Sequence, residues 1–376
     1  MKLTVSDFPG KGFGPTGPEM VELARVSEDA GIDRFGVSDY PFRQDCTTLM
    51  TACLAATRRL EVESLVTTPF RRSPDLTALA WATMAELSEG RAILGIGKGG
   101  GAADTWVAPW GWDRPPAQGA LREMVDICRT MWAGGQPPLE GRVLHTSGRK
   151  LDFAPGYPVP VLIAARGSRM LATAAELADI VHIATPFLAT SYMASTVEHV
   201  RSVATAAGRD PGSYEVDMTI AFSTAKDATS ARDAGKLIAA VGILWMANAE
   251  RRATTGELVS TSSAAVPREF TVGHETVEAI ATEWNMWTGE PLPPRVSQLI
   301  DDRMLGEFVV AGGPEECRDR LVEVASALPG ITGIRFKLPP LTGPDAYPAL
   351  REMIEIIGTF DELRALRPQV AQWALG

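Results

Sequence analysis

The chain has 376 residues, of which 45% are hydrophobic and 22% are charged, and its formal net charge is −10. This composition predicts a globular protein with a large core, and the negative charge argues against nucleic acid or an anionic membrane surface as a partner. We expect a cytoplasmic protein, because no apolar signal segment opens the chain and no apolar run reaches the ~18 residues of a membrane helix.

Short β-rich segments alternate with helical patterns, which predicts a parallel sheet built from βα units. Eight strands are predicted, at Leu3–Ser6, Arg34–Ser38, Leu60–Val66, Arg91–Gly95, Val161–Ala164, Ile180–Ala184, Tyr214–Phe222 and Gly333–Lys337. Helices are predicted at Pro18–Ala30, Thr47–Thr57, Asp75–Ser88, Gln118–Ala133, Arg169–Ala178, Ser191–Ala207, Thr229–Ala253, Glu315–Ala327 and after Tyr347. This order predicts an α/β fold, a (β/α)8 TIM barrel forming a single domain over residues 1–376.

Three segments are longer than ordinary βα connections and are predicted to lie over the barrel mouth as insertions, at about residues 98–117, 140–157 and 254–304. Long loops in a barrel usually cover the active site. The four cysteines are scattered, without a C-x-x-C pair or a histidine at zinc-ligand spacing, so we expect thiols in a reducing compartment and no metal site.

Ligands of a barrel gather at the carboxyl ends of its strands, where the candidate site residues lie. After the second predicted strand, Asp39 and Tyr40 offer a carboxylate and a phenol that could bind a ring or supply a proton, or simply cap a loop and pack. After the third, the hydroxyl of Thr67 could bind a heterocycle. Arg71 and Arg72 could then meet a carboxylate or a phosphate, or lie in a solvated loop.

A glycine-rich run follows the fourth predicted strand and contains Gly97, Lys98 and Gly99. Glycines permit a close approach of the backbone to a ligand, and Lys98 adds a positive charge there. The tryptophans that follow, Trp106 and Trp110, could form the wall of a pocket for a flat substrate or cover the rim of the barrel.

The most specific local signal lies between the fifth predicted strand and the next helix, in Ala165, Arg166, Gly167 and Ser168. A helix amino terminus with glycine, serine and arginine is suited to a phosphate, because unpaired N–H groups and the helix dipole both favour an anion. The alternative is a capped helix with solvated arginines.

Two later strands carry polar residues. His182, inside the sixth, is interpreted as a core histidine, whereas Thr185 at its end is the expected ligand contact. On the last predicted strand Arg335 and Lys337 alternate with Phe336, so both should point to one side, toward the barrel interior or mouth. Buried cations need anionic partners or ligands, and Lys337, nearer the carboxyl end, is a candidate for substrate binding.

The run Val66–Pro74, continued by Ala82–Arg91 and Leu94–Gly97, resembles the luciferase-like flavin and deazaflavin oxidoreductases. Val161–Asp179 is similar to the phosphate loop and following helix of that family, and Gly312–Glu316 is similar to its penultimate helix start. The resemblance implies the (β/α)8 fold, a flavin-class cofactor, with coenzyme F420 favoured over FMN, a small-molecule substrate and a homodimer.

Within that family, Val37-Ser38-Asp39-Tyr40 resembles the V-S-D-H element of the F420-dependent glucose-6-phosphate dehydrogenases, and the methylene-tetrahydromethanopterin reductases have similar elements. This likeness would place Asp39 beside the deazaflavin ring and Tyr40 at the position of a catalytic histidine. Ser64-Leu65 would form a non-prolyl cis peptide behind the ring. The complete set of expected cofactor contacts is Asp39, Ser64, Leu65, Thr67, Gly97, Lys98, Gly99, Ala165, Arg166, Gly167, Ser168 and Thr185.

Departures from the dehydrogenases change the expected substrate. Lys98-Gly99-Gly100 stands where they have Thr-Gly-Glu, and Phe187 falls near the position of their sugar-phosphate lysine, so glucose 6-phosphate is not expected. A tyrosine, protonated at neutral pH, suits proton donation to a substrate that is being reduced. We predict hydride transfer from F420 to an imine, enone or other activated double bond, with Tyr40 or Asp39 assisting protonation.

Two other functions stay open. An FMN-dependent monooxygenase of the same family would use the same fold with a different cofactor. A non-catalytic ligand-binding barrel is the third possibility, because a fold alone does not establish an activity.

Overall fold

The computed structural model describes residues 1–6, 15–40, 44–99, 116–185, 187–255, 272, 274–284, 291–341 and 343–366, without the side chains of 245–255 and 274. Its strands are β1 Lys2–Ser6, β2 Arg34–Val37, β3 Glu61–Ser64, β4 Ala92–Ile96, β5 Val161–Ala165, β6 Ile180–Ile183, β7 Glu215–Thr224, β8 Val309–Gly312 and β9 Gly333–Lys337. Its first seven helices are α1 Gly17–Asp29, α2 Cys46–Ala56, α3 Pro74–Ser88, α4 Ala117–Trp132, α5 Ser168–Leu177, α6 Thr190–Ala206 and α7 Ala228–Thr255. The later helices are α8 His274–Glu283, α9 Pro294–Leu299, α10 Asp302–Phe308, α11 Pro314–Ser326, α12 Ala346–Gly358 and α13 Asp361–Ala365.

Eight parallel strands close a barrel in the order β1-β2-β3-β4-β5-β6-β7-β9, with β9 paired to β1. The predicted (β/α)8 barrel is therefore confirmed. The predicted strands and helices match the observed ones to within a few residues.

Strand β8 is an addition that the sequence pattern did not predict. Strand β7 is ten residues long; its first part pairs with β6 and β9, and Ala221–Thr224 pairs with β8. Because buried backbone N–H and C=O groups need partners, the extension of β7 requires a neighbour, and Val309–Gly312 supplies one.

Several helices begin on a side chain that caps free backbone N–H groups. Asp45, Ser73 and Asp301 each accept a hydrogen bond from the N–H three residues later, and Thr16 forms a capping box with Glu19. These caps fix where the strand-to-helix loops end, and so help to position the loops at the carboxyl ends of the strands.

Successive side chains along each strand point alternately into the barrel and outward, where they form the core between the strands and the helices. Ile93, Leu162 and Ile180 form a small apolar cluster, with Val66 and Ala164 packed against it, separate from the large core cluster. Gly36 belongs to an inner layer as well, because a Cβ there would lie 3.1 Å from the Ser6 Cβ and 3.3 Å from the Leu65 Cβ.

A buried ionic cluster surrounds Arg335. Its Nη2 lies 2.7 Å from the Asp217 Oδ2, and its Nη1 pairs with Glu63. His182 contacts Asp217 through Nδ1 and lies 3.1 Å from the Thr219 hydroxyl through Nε2. This confirms the interpretation of His182 as a core histidine and of Arg335 as a buried cation with anionic partners.

The described part of the 254–304 insertion contains α8, α9 and the start of α10, and these helices share a second apolar cluster with α7. Ile243, Trp284 and Phe308 belong to this cluster together with Phe187 and Ala221. The insertion therefore packs beside the carboxyl ends of β6 and β7. No helix within the described ranges has both the length and the apolar character needed to cross a membrane.

Candidate active site

The carboxyl ends of the parallel strands lie at one mouth of the barrel. Predicted site residues from six of these strands therefore lie at the same end. Asp39 follows β2, Thr67 follows β3, Lys98 follows β4, Arg166 follows β5, Thr185 follows β6 and Lys337 ends β9. Trp106 and Trp110 lie outside the described residues, as does most of the 98–117 insertion.

Asp39 is held by two arginines. Its side chain is inaccessible to solvent, and Oδ1 accepts hydrogen bonds from the Arg71 Nη2 at 2.6 Å and Nε at 3.1 Å. Oδ2 lies 3.0 Å from the Arg72 Nη1, and Arg72 also pairs with Asp45, the cap of α2. The arginines therefore meet a carboxylate, as one of the two sequence interpretations proposed. Because both oxygens accept from guanidinium groups, this geometry favours a positioning role for Asp39 over proton donation.

Tyr40 directly follows Asp39 in the sequence, and its side chain is partly buried. Burial raises the pKa of Tyr40 to about 12. The hydroxyl therefore stays protonated across the neutral range, and it can donate a proton but is a poor acceptor of one from a substrate.

The end of β3 is fixed against β4. The Ser64 hydroxyl donates to the Gly95 carbonyl at 2.7 Å and accepts from the Gly95 N–H at 2.9 Å, so both of its hydrogen-bonding roles are used between the strands. A Cβ at Gly95 would lie 1.8 Å from the Ser64 carbonyl oxygen, which explains the glycine.

The non-prolyl cis peptide lies between Leu65 and Val66, so the predicted position at Ser64-Leu65 was wrong by one residue. The hydrogen bonds of Ser64 to β4, and the bond from the Leu65 N–H to the Val37 carbonyl at 2.8 Å, continue the regular pairing up to Leu65. The change of backbone direction comes only after these bonds.

Two threonines of the predicted site are buried in local structure. Thr67 continues the pairing of β3 with β4: its N–H donates to the Gly95 carbonyl, and its carbonyl accepts from the Gly97 N–H, both at 2.9 Å. Thr185 donates its hydroxyl to the Phe187 carbonyl at 3.1 Å. Both therefore shape the loops of the mouth.

The loop after β4 brings a lysine to the rim. Gly99 has a φ of 83°, in the left-handed region that favours glycine. Lys98 is partly buried; burial lowers its pKa, and the positive charge of Arg169 lowers it further. Lys98 and Arg169 therefore lie close enough to interact, although they come from different βα loops.

Helix α5 begins at Ser168, with Gly167 as its N-cap. No described side chain caps this helix, and the first N–H groups of a helix have no partner within it. The amino terminus of α5, with Lys98 and Arg169 beside it, is therefore an electropositive site. The sequence analysis predicted a phosphate at this terminus, and that assignment stays a prediction.

Two further cations lie at strand ends, Arg166 directly after β5 and Lys337 at the end of β9. Burial lowers the pKa of Arg166 to about 10, against the opposing effect of Tyr192 on α6. Burial and the nearby Arg166 lower the pKa of Lys337 to about 7. Sequence analysis identified each residue as a candidate separately. The electrostatic effect of Arg166 on Lys337 depends on the closure of the barrel, which the sequence does not reveal.

Within the described ranges no group of three or more histidine, cysteine, aspartate or glutamate side chains could hold a metal ion. All four cysteines are buried as thiols. The polar groups that the structure describes at the mouth therefore include the Asp39 network, Tyr40, the two threonines and the cations.

A family model described as luciferase-like monooxygenase matches residues 4–329. The chain belongs to the luciferase-like monooxygenase family. The resemblance noted in the motifs around β3 and β4 is thereby confirmed.

Relatives of this luciferase-like chain include a 5,10-methylenetetrahydromethanopterin reductase of Archaeoglobus fulgidus, 28% identical over 90% of this chain and 93% of the relative. An F420-dependent glucose-6-phosphate dehydrogenase 2 of Rhodococcus jostii is 32% identical over 57% of this chain and 67% of the relative. Among solved structures, the coenzyme F420-dependent tetrahydromethanopterin reductase of Methanopyrus kandleri superposes with a TM-score of 0.71, at 22% identity, covering 95% and 97% of the two chains.

Proposed function

We propose that this luciferase-like protein is an F420-dependent oxidoreductase that reduces a small organic substrate, such as an imine, an enone or another activated double bond. The observation that carries the proposal is the uncapped amino terminus of α5, flanked by Lys98 and Arg169 at the barrel mouth. Relatives over most of the chain, or over a long part of it, are reductases and dehydrogenases, and F420 appears in the name of the Rhodococcus jostii enzyme.

The residues at the mouth fit the phosphate of F420. The first N–H groups of α5 and the helix dipole favour an anion, and Lys98 and Arg169 add charge-assisted hydrogen bonds. Gly167 and Ser168 would hold the phosphate through their backbone, with no side chain competing for the same N–H groups.

When bound, F420 supplies the carbon that carries the hydride, and the protein supplies orientation and protons. Asp39 keeps a fixed position because two guanidinium groups hold both of its oxygens. Leu65 and Val66 directly follow β3, and Val66 packs against the inner apolar cluster. Together they would set the plane in which a flat ring can lie.

The state of Tyr40 favours reduction over oxidation. Reduction of a double bond needs a proton at the atom that does not receive the hydride, and a protonated phenol can deliver it from its hydroxyl oxygen. Oxidation of an alcohol needs a base instead, and with its pKa raised to about 12 Tyr40 is almost never in the phenolate form that could act as one at neutral pH.

The phosphate site is tested by an Arg169→Gln variant titrated with F420 and with a deazaflavin that lacks the phosphate. Loss of one charged contact should weaken F420 binding about tenfold and leave the phosphate-free compound unaffected. Arg142→Gln, on the exposed surface of the 140–157 segment, is the matched control. Equal weakening of both compounds, or no effect on F420, would contradict the assignment.

A further inference from the structure

The first turn of α5 is joined to α4 by a row of polar contacts, the α4–α5 seam. On α4 its members are spaced by four and then seven residues, and on α5 by four and then three, so each set lies on one face of its helix. The members of the seam are Gln118, Arg122 and Arg129 on α4, Arg169, Thr173 and Glu176 on α5, and Asp179 just beyond α5.

Thr173 lies at the centre of the seam and is completely buried. Its hydroxyl donates to the Arg169 carbonyl at 3.1 Å. The same oxygen accepts from the Gln118 Nε2 at 2.7 Å and from the Arg122 Nη2 at 3.2 Å. A hydroxyl has one proton and two acceptor positions, so its whole hydrogen-bonding capacity is used. Two side chains of α4 are thereby fixed to the first turn of α5 through one buried atom.

The ion pairs of the seam are more exposed. The Arg122 Nη2 lies 2.5 Å from the Glu176 Oε2, and the Arg129 Nη2 lies 3.0 Å from the Asp179 Oδ2. Each of these four side chains is at least 37% accessible to solvent, and ion pairs of this kind contribute little to stability. The buried hydroxyl of Thr173 is therefore the contact that determines how the start of α5 lies against α4.

The hydrogen bond donated by Thr173 ends on a peptide group of the candidate anion site. The Arg169 carbonyl belongs to the second residue of α5, and the Gln118 Nε2 also lies 3.4 Å from it. The N–H groups of α5 that have no partner within the helix belong to the same turn. An anion must meet them at about 2.7–3.2 Å, so a small shift of this turn lengthens several hydrogen bonds at once. A site of this kind depends on support from the residues behind it.

We propose that Thr173, through its bonds to Gln118 and Arg122, is a positioning residue for the anion site at the amino terminus of α5. Its hydroxyl holds the first turn so that the free N–H groups keep the geometry that a phosphate requires. The proposal rests on the proposed function, because the phosphate expected at this terminus is that of F420.

The test replaces Thr173 with valine, which removes the hydroxyl and keeps the shape of the side chain. Gln118 and Arg122 then lose their common acceptor. We expect the Kd of F420 to rise about threefold to tenfold, while the Kd of a deazaflavin that lacks the phosphate stays unchanged. Thr173→Ser retains the hydroxyl and should restore the wild-type Kd of F420. Calorimetric titration measures each Kd, and near-ultraviolet circular dichroism checks that the variants are folded.

Arg129→Gln is the matched control, because it breaks the seam at the far end of α5. It should leave the ratio of the two Kd values as it is in the wild type. An unchanged ratio in Thr173→Val, or a change that Thr173→Ser does not reverse, would overturn the positioning role.

Hydrogen exchange of the protein without ligand separates this proposal from the choice of cofactor. In Thr173→Val the backbone N–H groups of residues 171–174 should exchange about threefold to tenfold faster than in the wild type. If F420 fails to bind the wild type while exchange is faster in the variant, the proposed cofactor is wrong and the hold of Thr173 on the first turn stands. Unchanged exchange would overturn that hold, whether or not F420 binds.

Discussion

Replacing Arg335 with methionine tests whether the ion pairs inside the barrel stabilise the strands that carry the site. Arg335 is fully buried, and its partners Glu63 and Asp217 are equally inaccessible. Removing one partner of a buried pair costs about 3–5 kcal/mol, because the carboxylates are left without compensation. With an unfolding entropy of about 2.1 cal/mol/K for each of the 376 residues, roughly 0.8 kcal/mol/K in all, a loss of about 4 kcal/mol lowers Tm by about 5 °C.

The pH dependence identifies the cause. Burial alone would raise the pKa of Asp217, but Arg335 and then His182 hold it below its usual range. In the wild type this contribution to stability is present above the unfolded pKa of about 4 and is lost as pH falls further. In Arg335→Met burial of Asp217 is no longer opposed by that cation, so this carboxyl group favours its protonated form more strongly, and the deficit in Tm should shrink between pH about 7.5 and about 5.

Calorimetric melting of the wild type and the variant at both pH values measures this. Arg320→Met is the control, because Arg320 is 39% exposed and pairs with Glu323 within one helix, where such pairs contribute little. A Tm for Arg335→Met equal to that of the wild type near pH 7.5, or a deficit that does not change with pH, would show that the buried ion pairs of Arg335 do not stabilise the barrel.

Two further predictions concern the mouth. Gly95→Ala places a Cβ 1.8 Å from the Ser64 carbonyl oxygen and should destabilise the protein by at least about 1–3 kcal/mol, measured as a fall in Tm. The control is Gly156→Ala, whose Cβ would meet nothing within 4 Å and which should leave Tm unchanged. Equal Tm values for the two variants would contradict the close packing of Gly95 against Ser64. Tyr40→Phe should lower kcat by about 10²–10⁴-fold with little change in the Kd of F420, followed by cofactor absorbance. Because the pKa of Tyr40 is raised to about 12, deprotonation of Tyr40 should cause no loss of wild-type turnover between pH about 7 and 10. An unchanged kcat in Tyr40→Phe would exclude Tyr40 as the proton donor.

The strands were predictable because their apolar composition is local information. Val161–Ala165 and Gly333–Lys337 were located to within one residue from composition and flanking turns. Strand Val309–Gly312 was missed because it follows α10 without a turn signal and exists only as a partner for the extended β7. Its cause is a tertiary pairing that no local pattern contains.

Some residues at the barrel mouth were predictable from the sequence, but the contacts between them were not. Asp39 and Arg71 are 32 residues apart, and only the register of β2 against β3 brings the carboxylate to the guanidinium. Ser64 was expected to contact the cofactor, but its hydroxyl is hydrogen-bonded to both the carbonyl and the N–H of Gly95 on β4.

Parallel titrations of the purified protein with F420 and with FMN test most directly whether F420 is the cofactor. Quenching of tryptophan fluorescence and calorimetry give a Kd for each ligand under identical conditions. We expect saturable binding of F420, weakened by Arg169→Gln, and FMN binding at least about tenfold weaker. Tighter binding of FMN than of F420 would contradict it and favour the monooxygenase function instead.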